Sequence, residues 1–167
     1  MKLIGNYATW IDPAWLEYIE SNKGYSHPRS DPEEYGSKNQ TTLTKIKRFG
    51  KDALWHSFEP DNFPFTVMPP VEINGRINWW FVKMFTGGFI PFHSDHAPRD
   101  GNTVKKARRF WMPLQDHIEG HMFIVEGELL KTYSAGDLFE YNPDARHSAL
   151  NINLEIPRYT FNFAVYE

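Results

Sequence analysis

The stretch HMFIVEGELLKTYSAGDLFEYNPDARHSALNI, running from His121 to Ile152, decides the fold class. It divides into short apolar or aromatic runs, His121–Val125, Leu129–Tyr133, Asp137–Tyr141 and His147–Ile152. Glu126-Gly127, Ala135-Gly136-Asp137 and Asn142-Pro143-Asp144 separate them. Runs of this length between turn residues read as β-strands, because aromatic and β-branched side chains suit a pleated surface while Gly, Asn, Asp and Pro suit tight reversals. Outward from this stretch the same texture continues. Upstream lie Lys45–Phe49, Ile77–Phe85, Phe89–His93 and Arg108–Leu114, and downstream lies Tyr159–Tyr166. Many short strands at this spacing predict a mainly β sandwich or barrel, and the lack of βαβ alternation argues against a dinucleotide-binding fold.

The N-terminal part differs. Asp12-Pro13 followed by AWLEYIESN gives a helix start, with Asp as N-cap and Pro in the first turn, and Trp15, Leu16 and Ile19 form its apolar face. From Ser21 to Thr44 the chain is polar and carries Gly24, Pro28, Pro32 and Gly36. That predicts a long loop, and loops of such length serve as lids or binding segments. Residues 1–167 are expected to form one domain, with 1–76 as helix, loop and supporting strands and 77–167 as the catalytic core.

Composition narrows the chemistry. The chain has no cysteine, which excludes a disulfide scaffold, a thiolate metal site and a cysteine nucleophile. Any metal must be held by His and carboxylate. The formal net charge of −3 provides no global attraction to nucleic acid or membrane, and the basic run Lys105-Lys106-Ala107-Arg108-Arg109 is expected to be a solvated strand edge. No signal-like or membrane-spanning apolar run is present, so a cytoplasmic protein is the expectation.

In Phe89-Ile90-Pro91-Phe92-His93-Ser94-Asp95 a strand end carries His93 and Asp95, which share a face by the i, i+2 rule while Ser94 faces away. His147, after the Asn142-Pro143-Asp144 turn, is the expected third ligand. Two imidazoles and one carboxylate leave coordination positions open and suit a non-haem Fe(II) oxygenase. Arg158 and Thr160 again share a face, and a guanidinium beside a hydroxyl is suited to a carboxylate. His96 is a rival ligand. His117 and His121, flanking a hairpin turn at Glu119-Gly120, are expected to be structural. His27 and His56 serve substrate or nothing, and Trp79-Trp80 pack the barrel.

From Ile77 to Glu167 these features together resemble the Fe(II)/2-oxoglutarate-dependent dioxygenases, built on a double-stranded β-helix (a jelly-roll, cupin-like barrel). The resemblance implies His93, Asp95 and His147 as catalytic metal ligands for Fe(II). It implies Arg158 and Thr160 as the anchor of the 2-oxoglutarate carboxylate. The stretch from Arg109-Phe110-Trp111-Met112-Pro113-Leu114 onward is also similar to the aspartyl/asparaginyl β-hydroxylase group. That likeness gives Arg109 a cosubstrate role, with Trp111 where the group has His and Asp95 where it lacks a carboxylate ligand. The implied reaction hydroxylates a peptide side chain or small molecule using O2 and 2-oxoglutarate, with release of succinate and CO2. The alternative is a cupin-type metalloprotein that does not use 2-oxoglutarate, since Gly136…Pro143-Asp144-Ala145…His147…Asn151 resembles the second cupin motif. A metal-free binding barrel is a third reading. Substrate identity and oligomeric state stay open.

Overall fold

The computed structural model describes residues 1–24, 55–72, 74–94 and 107–166. Ten strands are defined among them: β1 (Lys2–Asn6), β2 (Trp55–Phe58), β3 (Arg76–Met84), β4 (Phe89–His93), β5 (Ala107–Pro113), β6 (His121–Val125), β7 (Glu128–Leu129), β8 (Asp137–Tyr141), β9 (His147–Asn151) and β10 (Arg158–Tyr166). They form a six-stranded sheet in the order β1-β8-β5-β10-β3-β2 and a four-stranded sheet in the order β4-β9-β6-β7.

One reversal organises the barrel. Glu126 (φ 52°) and Gly127 (φ 85°) both lie at positive φ, and Val125 pairs with Glu128 across them. Positive φ at both loop residues gives a two-residue turn whose twist matches that of a β-hairpin. From this turn outward the chain pairs with itself in nested order: β6 with β7, β5 with β8, β4 with β9, and β3 with β10. Successive pairs alternate between the two sheets, and the ladders β5–β10 and β6–β9 join one coil to the next. A long antiparallel ribbon coiled in this way is a double-stranded β-helix.

Alternation along the strands then makes two cores. Phe110 and Met112, Leu138, Phe161, Phe163, Val165, Trp79 and Phe81 face outward from the large sheet. The helix α1 (Pro13–Ser21) covers them with Trp15 and Ile19, and it begins as expected, with the Asp12 carboxylate accepting from the Ala14 N–H at 2.9 Å. Between the sheets lies the second core, which includes Trp111, Phe123, Val125, Tyr133, Phe139, Tyr141 and Ala149. Trp79 and Trp80 therefore serve opposite faces, the first in the outer core and the second against the inner one.

The end of α1 is fixed by charge as well as packing. Lys83 is buried on the outer face, and its Nζ donates to the Glu20 carboxylate at 2.6 Å and to the Glu20 carbonyl at 3.2 Å. Tyr159, opposite Lys83 in the ladder, donates its hydroxyl to the same carboxylate. Burial would raise the Glu20 carboxyl, but the bonds from Lys83 and Tyr159 outweigh it and leave the group below its ordinary value.

Several expectations need correction. The strand expected over Leu129–Tyr133 is confined to Glu128–Leu129, because the chain must leave the small sheet there to reach β8 in the large one. Glu119-Gly120 does form a turn, yet it joins β5 and β6 in different sheets and so makes no hairpin. Strands β1 and β2 extend the large sheet at either edge; supporting strands were expected within 1–76, but not at these positions. The expected strand Lys45–Phe49, the loop Ser21–Thr44 beyond residue 24, His27 and His96 lie outside the described residues. Among the described residues, no helix is long and apolar enough to cross a membrane.

Candidate metal and carboxylate site

The inner face of the small sheet brings two of the expected ligands together. His93 and His147 stand directly opposite in the β4–β9 ladder, with ring centroids 4.3 Å apart. Alternation alone would not have aimed His93 inward. Ile90 packs against the inner core and pairs with Ala149, but the next pairing is His93 with His147, so β4 spends three residues where β9 spends two. This bulge holds Pro91, which has no N–H to give to the ladder. The extra residue moves the inward position from 92 to 93, a common use of bulges beside functional sites. Phe92 is correspondingly exposed, at 38%. Ser94 turns the other way, and its hydroxyl donates to the Asp144 carbonyl at 3.1 Å, tying the strand end to the turn that precedes His147.

His147 is buried at 6% exposure, between Tyr141 (ring centroids 5.0 Å) and Phe123 (6.1 Å). Its Nδ1 lies 3.1 Å from the Ala145 carbonyl. A carbonyl only accepts, so Nδ1 carries the proton, and in the neutral ring Nε2 holds the lone pair that a metal requires. The donor chemistry thus fits a divalent metal. Asp95, the expected carboxylate ligand, lies outside the described residues, and among those described no cluster of three or more His, Asp or Glu residues is formed.

Arg158 and Thr160 share the inner face, as the i, i+2 reading requires, and Arg109 also lies on it. Arg158 opens β10 and is 2% exposed, with its guanidinium 5.4 Å from the Trp111 ring and 5.9 Å from that of Phe123. Its Nε and Nη2 are buried with no hydrogen-bond partner. Burial draws its pKa below the ordinary arginine value, and neighbouring Tyr133 pulls the other way. Thr160 is 4% exposed, and its Oγ1 accepts from Asn162 at 3.1 Å. Arg109 is buried with its guanidinium 5.4 Å from the Trp80 ring. Phe123 links the two halves of the site, because its ring is the shared neighbour of His147 and Arg158. Two orphaned guanidinium donors in an aromatic interior fit a carboxylate.

Other expectations resolve differently. Asn151, which matches the cupin-like spacing from His147, is fully buried and fully used. Its Nδ2 donates to the Met84 and Ile156 carbonyls, both at 3.0 Å, and its Oδ1 accepts from the Asn153 N–H at 2.9 Å. It is a clamp on the approach to Arg158. Of the basic run, Arg108 forms a two-pronged pair with Glu140 on the outer face (2.7 and 3.2 Å), while Lys105 and Lys106 lie outside the described residues. His56 packs edge-on to Phe85 on the outer face, away from the pocket.

Sequence reasoning did not single out Tyr133, and it read His121 as structural. Tyr133 is buried against Trp111 (ring centroids 5.2 Å), and its hydroxyl has no partner. His121 is 1% exposed on the inner face of β6. The alternation His121, Phe123, Val125 was a usable signal, since it puts the histidine on the same face as two core residues.

No family model and no curated protein matches this sequence. Among solved structures, partial likeness is found to KdgF from Halomonas sp., at 15% identity over 71% of this chain and 84% of that one, with a TM-score of 0.44. A Cupin_2 domain of an XRE family transcriptional regulator from Enterobacter cloacae matches at 10% identity over 68% and 98%, TM-score 0.46. The DMSP lyase DddQ from Ruegeria pomeroyi matches at 14% identity over 69% and 48%, TM-score 0.45. Likeness at this level is silent on activity.

Proposed function

We propose that this chain is a metal-binding barrel of the cupin type that takes a small carboxylate ligand, and within that class an Fe(II)- and 2-oxoglutarate-dependent oxygenase acting on a peptide side chain or small molecule. The broader statement rests on the barrel and the paired imidazoles. The finer one rests on a single observation, the buried Arg158 whose Nε and Nη2 have no partner. An unpaired charge in an apolar interior is costly, and a bound carboxylate offsets that cost with two parallel charge-assisted bonds.

His93 and His147 would hold the iron, with Asp95 as the third ligand. When bound, iron and 2-oxoglutarate supply O2 activation coupled to oxidative decarboxylation. The chain's own residues bind, orient and exclude. Arg158 and Thr160 fix the far carboxylate, and the bond from His147 Nδ1 to Ala145 fixes the imidazole's orientation. Trp111, stacked on Phe123 at 4.7 Å with planes 12° apart, walls off the interior and keeps the local dielectric low. A cupin-type metalloprotein that uses no 2-oxoglutarate (an isomerase, another dioxygenase or a ligand sensor) is the second reading. The adjacent His93–His147 pair favours it equally, because two imidazoles accept several divalent metals.

Succinate formation from 2-oxoglutarate by the purified protein with Fe(II) and O2 separates the two. Arg158→Ala is expected to raise the apparent KM for 2-oxoglutarate by about thirtyfold or more, the equivalent of about 2–5 kcal/mol for a stranded buried carboxylate. A change within about twofold in a folded variant removes Arg158 from the site and leaves the second reading.

A further inference from the structure

Inside the barrel the Nε and Nη2 of Arg158, the Tyr133 hydroxyl and the His121 Nδ1 are buried with no hydrogen-bond partner, and the Arg158 charge acts on both Tyr133 and His121. His121 Nε2 lies 3.0 Å from the Ile156 carbonyl, so Nε2 carries the proton and Nδ1 presents a bare lone pair in the neutral ring. A carboxylate seated on Arg158 has lone pairs to spare after taking the two guanidinium donors, and the Tyr133 hydroxyl can supply a third bond. A bare imidazole nitrogen would meet it as acceptor against acceptor. Protonated at Nδ1, the same ring is a donor.

We propose that His121 completes the carboxylate subsite as a proton-coupled donor, neutral without a bound anion and protonated when an anion is held by Arg158. The proton comes from solvent, the Nε2–H stays on Ile156, and Nδ1–H donates to the carboxylate. The groups facing His121 agree with this. Burial lowers its pKa below the ordinary value, and the charges of Arg158 on β10 and His117 on the preceding loop act in the same direction. The bond to Ile156 opposes them. Tyr133 does not compete for the role, because burial raises its hydroxyl and keeps it protonated. An anion neutralises the Arg158 charge and reverses the main electrostatic opposition.

This inference rests on the carboxylate reading of Arg158, and calorimetry keeps the two apart. 2-Oxoglutarate is titrated anaerobically into the Fe(II)-loaded full chain near pH 7, in buffers of different ionisation enthalpy. The expected result is uptake of close to one proton per ligand, with affinity weakening by up to about tenfold per pH unit above neutrality. His121→Gln keeps a donor for Ile156 but cannot titrate. It should abolish both the uptake and the pH slope while binding still depends on Arg158, whereas His117→Gln should change neither. Binding without proton uptake in the wild-type chain, a measurement that needs no variant, overturns the role of His121 and leaves Arg158 in place. Uptake that survives in folded His121→Gln overturns it equally. Failure of 2-oxoglutarate to bind the wild-type chain overturns both readings.

Discussion

Arg158 shows what a buried charge with two unsatisfied donors implies. Its guanidinium sits against Trp111 and Phe123 at 2% exposure, and no carboxylate of the described residues pairs with it. A residue kept for folding would have its donors satisfied, since leaving them unmade costs about 1–3 kcal/mol or more for a charged group. Replacing it with Met, similar in length and apolar, should therefore leave the ligand-free protein as stable or more stable, by up to about 3 kcal/mol, while removing carboxylate binding. Denaturant unfolding of Arg158→Met checks this. A loss above about 1 kcal/mol would make the guanidinium structural. The sequence disclosed Arg158 and Thr160 through their i, i+2 spacing. It did not disclose Tyr133, because nothing in an irregular segment says which way a lone tyrosine points.

At the scale of elements, turns carry the specification. Gly136 lies at φ 83°, and a Cβ there would stand 2.3 Å from the Ala8 nitrogen. Its carbonyl accepts from the Tyr7 N–H at 2.8 Å and its own N–H donates to the Pro113 carbonyl at 2.9 Å, so one residue ties β1 to both β5 and β8. Gly136→Ala should cost about 2–4 kcal/mol, from the left-handed backbone and the backbone clash together. Equilibrium denaturation reads it, and a cost under about 0.5 kcal/mol would mean that β1 is seated by other contacts. The same turns explain what was legible. Glu126-Gly127, Gly136 and Asn142-Pro143-Asp144 mark strand ends chemically, and β6, β8 and β9 appear where expected, whereas Leu129–Tyr133 does not. Strands β1 and β2 are sheet edges whose pairing depends on partners distant in sequence, such as Lys2 on Glu140, and local pattern does not encode that. The bulge at Pro91 lies between: the proline is visible, but its effect on the aim of His93 emerges only once β9 is in place.

For the molecule as a whole, two histidines link stability to pH. Burial lowers the pKa of both His121 and His56, with Arg158 and His117 adding to the effect on the first and Lys83 and Lys23 on the second. Below the ordinary histidine value of 6.5 the unfolded chain therefore binds more protons than the folded one, and stability must fall as pH falls. Thermal melts of the ligand-free protein should show Tm declining on acidification from pH 7 to 5, with the decline blunted in His121→Gln. An equal slope in the variant would assign the loss to other groups. Barrel, inner face and most of the pocket could be read from alternation and turn chemistry. The wholly interior cluster of His121, Tyr133 and Arg158 could not, because it joins three segments that meet only when the ribbon coils.

The central claim is that one barrel interior holds a metal on His93 and His147 beside a carboxylate on Arg158. Anaerobic addition of 2-oxoglutarate to the Fe(II)-loaded protein tests it most directly, by visible absorption. The account predicts a weak charge-transfer band that saturates with ligand, is lost in His147→Ala and needs far more ligand in Arg158→Ala. No band at saturating Fe(II) and 2-oxoglutarate would contradict it.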